Sequence, residues 1–119
     1  MITLYHNPRC SKSREALALV EHFSTTKGVT LDVVDYQKTP LTLAQLTALH
    51  RQLGGAVREM VRDNEEEYAT LNLRQADDAM LLQALAAHPK LLQRPIVVHG
   101  ERAVIGRPPE RINALLQAA

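Results

Sequence analysis

The sequence has almost none of the residues that build covalent or thiolate-metal scaffolds. Cys10 is the only cysteine among 119 residues, so the chain cannot form an internal disulfide or a metal site of several thiolates. It also cannot complete a dithiol redox cycle by itself, because Ser13 occupies the place of the second cysteine in a C-x-x-C motif. If Cys10 is catalytic, a second thiol has to come from another molecule.

Aromatic residues and long apolar runs are also scarce, and the net charge is small. Each of these features excludes some classes of structure or partner. Aromatics make up 3% of the chain, so the core has to be aliphatic. A formal net charge of +1 gives no reason to expect nucleic acid or an anionic membrane as a partner. No segment approaches the roughly 20 apolar residues of a spanning helix, and Met1–His6 does not resemble a signal peptide. We therefore expect a cytoplasmic protein that binds neither a membrane nor nucleic acid.

The apolar pattern predicts short strands and helices without a repeat, linker or low-complexity segment. Asn7-Pro8 ends the first strand, Gly54-Gly55 ends a helix, and Gly100-Glu101 marks a hairpin turn. The predicted strands are 1–6, 30–36, 96–99 and 102–105, and the predicted helices start at Ser11 and cover 43–53, 57–61, 65–71, 77–88 and 110–116.

This order of elements predicts an α/β protein with a thioredoxin-like fold. The β-α-β start implies a parallel strand pair with a right-handed crossover, and the final hairpin with its helix completes a mixed four-stranded sheet. The segment of about 42–92 is a helical insertion, and 1–119 forms a single domain. Pro95, directly before the third strand, takes the position of a cis-proline that lies beside the active-site thiol in such a sheet.

Cys10 lies where the first strand passes into the first helix, in the segment HNPRCSKSR at 6–14. Free N–H groups and the positive end of the helix dipole favour an anion at such a junction, and they lower the pKa of a thiol there. Arg9, Lys12 and Arg14 add positive charge. A lone cysteine is more often a buried filler, but this polar loop favours a reactive, low-pKa thiol that solvent can reach.

Neighbouring side chains offer further roles. Ser11 and Ser13 are able to donate hydrogen bonds to the sulfur or to a bound oxyanion, and His6 either tunes the thiolate or only packs the loop. Cys10 and Arg14 also form a cysteine–arginine pair, but only three residues separate them. The tyrosine-phosphatase loop needs a longer spacing, which argues against that class.

Three segments resemble the glutaredoxin- and glutathione-dependent arsenate reductases, the ArsC-like family. They are HNPRCSKSR at 6–14, RPIVV at 94–98 and GRPPE at 106–110, and the similarity extends over nearly the whole chain. The family has a thioredoxin-like fold with a helical insertion, which agrees with the topology predicted above. Ser11-Lys12 follows the cysteine where the best-known members have Gly-Thr, and this version is similar to a chromosomal branch of the family.

The resemblance implies an oxidoreductase that uses external thiols and no bound cofactor or metal. Cys10 attacks arsenate and forms a covalent arsenic–sulfur intermediate; glutathione then adds as co-substrate, and glutaredoxin resolves the mixed disulfide as arsenite is released. His6 and Ser13 match residues that help to hold the thiolate. Three arginines match the residues that bind the oxyanion: Arg62, Arg94 and Arg107.

An interaction protein is the alternative class. Spx-like regulators share the fold, bind RNA polymerase and sense oxidants through a C-x-x-C pair. Ser13 removes that intramolecular switch here, so the alternative becomes a thiol sensor that responds by glutathionylation of Cys10.

Overall fold

The computed structural model describes residues 1–117, and the chain divides into two compact units. The first unit contains Met1–Thr39 and the described part of Arg94–Ala119, and the second unit is Pro40–Gln93. Ala118 and Ala119, at the end of the predicted single domain, lie outside the described residues. The single-domain assignment of 1–119 stays a prediction.

A mixed four-stranded sheet forms the centre of the first unit. Its strands are β1 (Ile2–His6), β2 (Leu31–Asp35), β3 (Ile96–His99) and β4 (Arg102–Ile105), in the order β2-β1-β3-β4. β1 is parallel to β2, whereas β3 is antiparallel to both β1 and β4. The predicted α/β class, the parallel start and the final hairpin are therefore confirmed.

The helices lie close to their predicted positions. They are α1 (Ser11–Lys27), α2 (Leu43–Leu53), α3 (Glu66–Thr70), α4 (Asp78–Ala87) and α5 (Glu110–Gln117). Gly28 ends α1 in the left-handed region, with φ 67°, and its N–H donates to Ser24 O. The core of the first unit is aliphatic, as expected from the composition, and consists of Ile2, Leu4, Ala16, Val20, Val97, Ile112, Leu115 and Leu116.

The second unit contains α2, α3 and α4 with short 3-10 turns, and α2 packs against α4. Thr42 and Gln45 form a reciprocal capping box that starts α2. The short helix predicted at 57–61 is instead a 3-10 turn, Val57–Met60, whose end is closed by the Val61 N–H to Arg58 O at 3.2 Å. The 3-10 geometry is common in segments of this length.

Candidate active site

The loop between β1 and α1 is a tight turn held by its own hydrogen bonds. The backbone oxygen of Asn7 accepts from Cys10 N–H at 3.0 Å, and Asn7 Oδ1 accepts from Arg9 N–H at 3.0 Å. This side-chain contact makes the loop an Asx turn. Arg14 Nη1 donates to Pro8 O at 3.0 Å, and Arg14 N–H donates to Cys10 O at 3.0 Å. The thiol is therefore fixed at the first turn of α1.

Cys10 is the N-cap residue of α1, and it is partly exposed. Burial by itself raises the pKa of the thiol, but the N–H groups of Ser13 and Lys12 and the Arg94 guanidinium oppose this effect. The balance lowers the pKa of Cys10 below its ordinary value. Backbone donors at a helix start stabilise a thiolate, and the direction is the one expected from the sequence.

The positive charge beside the thiol comes from a residue that is distant in sequence. The Lys12 ammonium lies 3.9 Å from the Glu15 carboxylate, and the Arg14 guanidinium binds a loop carbonyl. Arg94 is the cation whose charge lowers the pKa of the thiol, whereas Lys12 contributes through its backbone N–H. The prediction that the side chains of Arg9, Lys12 and Arg14 add positive charge at the loop stays a prediction.

His6 and Ser13 form a buried pair next to the loop. They are 7% and 0% exposed, and His6 Nδ1 lies 2.7 Å from Ser13 Oγ. Ser13 Oγ also accepts from Asn7 N–H at 2.9 Å, so its hydroxyl is occupied within the loop, and Ser13 influences the pKa of Cys10 through its backbone N–H. Burial lowers the pKa of His6, although Asp35 partly opposes this effect. The imidazole is therefore neutral near pH 7, and its influence on the thiolate stays a prediction.

Arg94 brings free hydrogen-bond donors to the thiol. Its guanidinium lowers the pKa of Cys10, because its positive charge and its N–H donors stabilise the thiolate. Its Nε and Nη1 atoms are buried and have no hydrogen-bond partner within residues 1–117. A buried donor without a partner costs about 1–3 kcal/mol, and the guanidinium fork matches the oxygens of an oxyanion. Cys10 and Arg94, two predicted site residues that are distant in sequence, therefore influence each other in the folded chain.

Pro95 holds the Arg94 segment against the end of β4. The Arg94–Pro95 bond is cis, as predicted, and Pro95 O accepts from Gly106 N–H at 2.8 Å. A Cβ atom at Gly106 would lie 2.6 Å from Ile112 Cδ1 and 3.1 Å from Pro95 Cγ. A side chain at position 106 would therefore force the Ile112 and Pro95 side chains to shift, and glycine avoids this.

Arg107 and Arg62 are the other two arginines that were predicted to bind the oxyanion. Arg107 is exposed, and within the described residues it is not among the groups that shift the pKa of Cys10. The Arg107–Pro108 bond is cis, which we did not predict. Arg62 belongs to the second unit, where its Nη1 lies 2.5 Å from Glu65 Oε1. A role for either arginine in oxyanion binding stays a prediction.

Sequence reasoning missed two residues of the site. Asn7 shapes the loop through its backbone oxygen and its side chain, and the Asn-Pro pair at a strand end was a signal for an Asx turn. Asp35 influences the pKa of His6. Its position at the carboxyl end of β2, opposite His6 in the parallel register, was an available signal, because ligand sites of such sheets lie at that end.

No group of three or more His, Cys, Asp or Glu side chains within residues 1–117 is arranged to hold a metal ion. None of the described helices has the length and apolar character needed to cross a membrane.

The fold and the site define a class: a thioredoxin-like α/β protein with one thiolate at the start of its first helix and a guanidinium beside it. Residues 5–115 match the model of the ArsC family. The chain belongs to the ArsC family.

Relatives and solved structures agree with this assignment. An arsenate reductase of Neisseria meningitidis serogroup A is 43% identical over 118 residues, and the match covers 97% of both chains. An arsenate reductase of Escherichia coli strain K12 is 34% identical over 120 residues, which cover 99% of this chain and 82% of the relative. The structure of an arsenate reductase from Vibrio cholerae is similar with a TM-score of 0.86 and 46% identity over 95% of both chains. The predicted resemblance is confirmed.

Proposed function

We propose that this chain is an arsenate reductase that uses the Cys10 thiolate as nucleophile and glutathione and glutaredoxin as external thiols. The observation that supports this function best is the Arg94 guanidinium, which lies at a low-pKa thiol and has two buried donors without a partner in the described chain. Relatives at 43% and 34% identity that are named arsenate reductases support the choice of substrate.

Binding of arsenate begins at Arg94. Its Nε and Nη1 donate to two oxygens of the oxyanion, and each donor gains a hydrogen bond for which residues 1–117 offer no partner. Arg62 and Arg107 complete the proposed set of oxyanion ligands, as the family resemblance implies. The His6–Ser13 pair holds the loop so that the N–H groups of Lys12 and Ser13 remain directed at the sulfur.

The covalent step exchanges an oxygen on arsenic for a sulfur. The Cys10 thiolate attacks arsenic, and one protonated arsenate oxygen leaves as water, so arsenic remains in the As(V) state. The thiol of glutathione then replaces a second oxygen, which also leaves as water. At this stage arsenic is bound to the two sulfurs, one from the protein and one from glutathione.

Reduction follows when a second external thiol attacks the glutathione sulfur. A sulfur–sulfur bond forms, the sulfur–arsenic bond of glutathione breaks, and its electron pair stays on arsenic, which becomes As(III). Hydrolysis of the remaining bond to Cys10 consumes one water and releases arsenite. One arsenate and two external thiols thus give one arsenite, one disulfide and one water, and Cys10 is regenerated.

The test is thiol oxidation that depends on arsenate. Purified protein is mixed with glutathione, glutaredoxin and glutathione reductase, and the consumption of NADPH is followed with and without arsenate. We expect NADPH consumption only when both arsenate and the protein are present, and equal rates for wild type and an Arg51→Ala control, because Arg51 is exposed on α2. Glutathionylation of Cys10 by oxidants without any arsenate turnover would contradict the proposal and favour the sensor.

A further inference from the structure

A cavity of about 320 Å³ lies directly beside the thiol loop in the first unit. Its lining residues come from the loop after β1 and the turn after β2: Asn7, Pro8, Arg9, Asp35, Gln37 and Lys38. β1 and β2 are adjacent parallel strands, so the cavity lies at their carboxyl ends, where open α/β sheets bind ligands. The volume is at the small end of the range for small-molecule sites, about 300–1,000 Å³.

Charged side chains of both signs line this cavity. Arg9 and Lys38 are exposed cations, and neither forms an ion pair with any residue from 1 to 117. Asp35 is half-buried, and its Oδ1 accepts from the N–H groups of Gln37 at 3.1 Å and Lys38 at 3.4 Å. These two contacts hold the carboxylate in place, while Asp35 Oδ2 accepts no hydrogen bond in the described chain. The cavity thus offers two cationic groups and one carboxylate oxygen to a ligand.

A protein with a single cysteine needs an external thiol for the proposed reaction. Because Cys10 is the only cysteine, the electrons for reduction come from external thiols, and the first of them has to reach the arsenic atom on Cys10. Arg9 lines the cavity and directly precedes Cys10, and consecutive Cα atoms are only about 3.8 Å apart. Cys10 does not itself line the cavity, so a ligand anchored there has to extend past Arg9 to bring its thiol to the reacting sulfur.

We propose that this cavity binds the peptide part of the external thiol, a small peptide with two carboxylates and one ammonium, as in glutathione. Arg9 and Lys38 bind the two carboxylates, and Asp35 binds the ammonium. The inference rests on the proposed function, since it assigns the place of the thiol that replaces the second oxygen on arsenic. The bonds formed and broken in that step are those given above, and binding in the cavity adds no further redox change.

Kinetics with two kinds of thiol test the subsite. In Arg9→Gln/Lys38→Gln, the KM for glutathione should rise roughly 3- to 30-fold, the scale expected for two exposed charge contacts. The KM for arsenate and the rate with 2-mercaptoethanol, which has no carboxylates, should stay unchanged. The matched control Arg51→Gln/Arg74→Gln makes the same change in net charge at exposed positions outside both this cavity and the groove beside α1. Equal KM values for glutathione in the two double variants would overturn the proposal.

A binding experiment separates the failure of the subsite from the failure of the proposed function. S-methylglutathione has no free thiol, so its binding to the wild-type protein does not depend on turnover. In NMR titrations the amide signals of Asn7, Gln37 and Lys38 should shift, and the Arg9→Gln/Lys38→Gln variant should lose most of the effect. This result supports the subsite even if arsenate is not reduced. Absence of binding, or shifts confined to the separate groove lined by Leu19, Phe23 and Leu116, would refute it even if arsenate is reduced.

Discussion

Replacing Arg94 by alanine removes the guanidinium beside Cys10 and leaves the loop hydrogen bonds of Asn7 in place. The thiol loses a positive charge and N–H donors that lower its pKa, so its pKa rises and less thiolate is present at neutral pH. Arsenate loses the donors Nε and Nη1, which have no partner within residues 1–117. Both changes slow the attack on arsenic.

The size of the effect follows from the strength of the lost bonds. A hydrogen bond to a charged group contributes about 1.5–3 kcal/mol, and each 1.4 kcal/mol or so corresponds to a tenfold change in rate. We expect kcat/KM for arsenate to fall roughly 10- to 150-fold for the loss of one such bond, and further if both donors bind in the transition state. Arg94→Lys should recover only part of the loss, because an ammonium cannot form the planar two-bond contact.

Two measurements check the Arg94 prediction. Initial rates over a range of arsenate concentrations give kcat/KM, and the protection of Cys10 from iodoacetamide by phosphate reports oxyanion binding without turnover. Thermal unfolding should show no loss of stability, because the two unpartnered donors gain nothing in the resting protein. Arg51→Ala is the matched exposed control. If Arg94→Ala and Arg51→Ala give the same kinetics and the same protection, the proposed role of Arg94 is wrong.

Three further predictions concern the thiol, its buried neighbour and the packing behind the site. Native Cys10 should react with iodoacetamide with a pH midpoint below that of a free thiol, about 8.5, and a midpoint at or above that value would contradict the lowered pKa. Burial lowers the pKa of His6 from 6.5, so its contribution to stability is complete above about pH 6.5 and is lost as the pH falls through the lowered folded-state pKa. Urea midpoints should therefore fall from about pH 7 to about pH 4, and less steeply in His6→Gln; equal slopes would refute this. Gly106→Ala should reduce the free energy of unfolding by about 1–3 kcal/mol, because its Cβ meets Ile112 and Pro95, and an unchanged urea midpoint would show that the packing relaxes.

Much of the fold is encoded by local patterns. Asn7-Pro8 and Gly54-Gly55 end their elements where the sequence indicates, and the β-α-β start leads to the parallel pair of β1 and β2. The short segments were harder, since 57–60 forms a 3-10 turn and Leu73–Gln75 and Pro89–Leu91 form turns that were not predicted. A few residues without a periodic apolar face contain little information on which helical geometry they adopt.

The sequence predicted most of the residues at the site, but fewer of the contacts between them. The position of Cys10 at a helix start was evident from the sequence, and so was the approach of Arg94 through the proline that follows it. Which cation lowers the pKa of the thiol was not evident from the sequence. Arg9 and Arg14 are near Cys10 in the chain, whereas the position of the Arg94 guanidinium depends on how β3 is placed next to β1. The use of the Ser13 hydroxyl by His6 likewise arises from packing between an element and its neighbour, and sequence spacing alone does not specify it.

The proposed function depends most on the assignment of Cys10 as the nucleophile toward arsenate. The most direct measurement is the amount of arsenite formed from arsenate, with glutathione and glutaredoxin, by wild type and by Cys10→Ser. The serine variant keeps nearly the same shape but lacks an accessible anion, so phosphate binding, measured by NMR shifts of the loop amides, should persist. We predict that wild type forms arsenite catalytically and that Cys10→Ser forms no more than the mixture without protein. Arsenite formation by Cys10→Ser at the wild-type rate would contradict the proposed function.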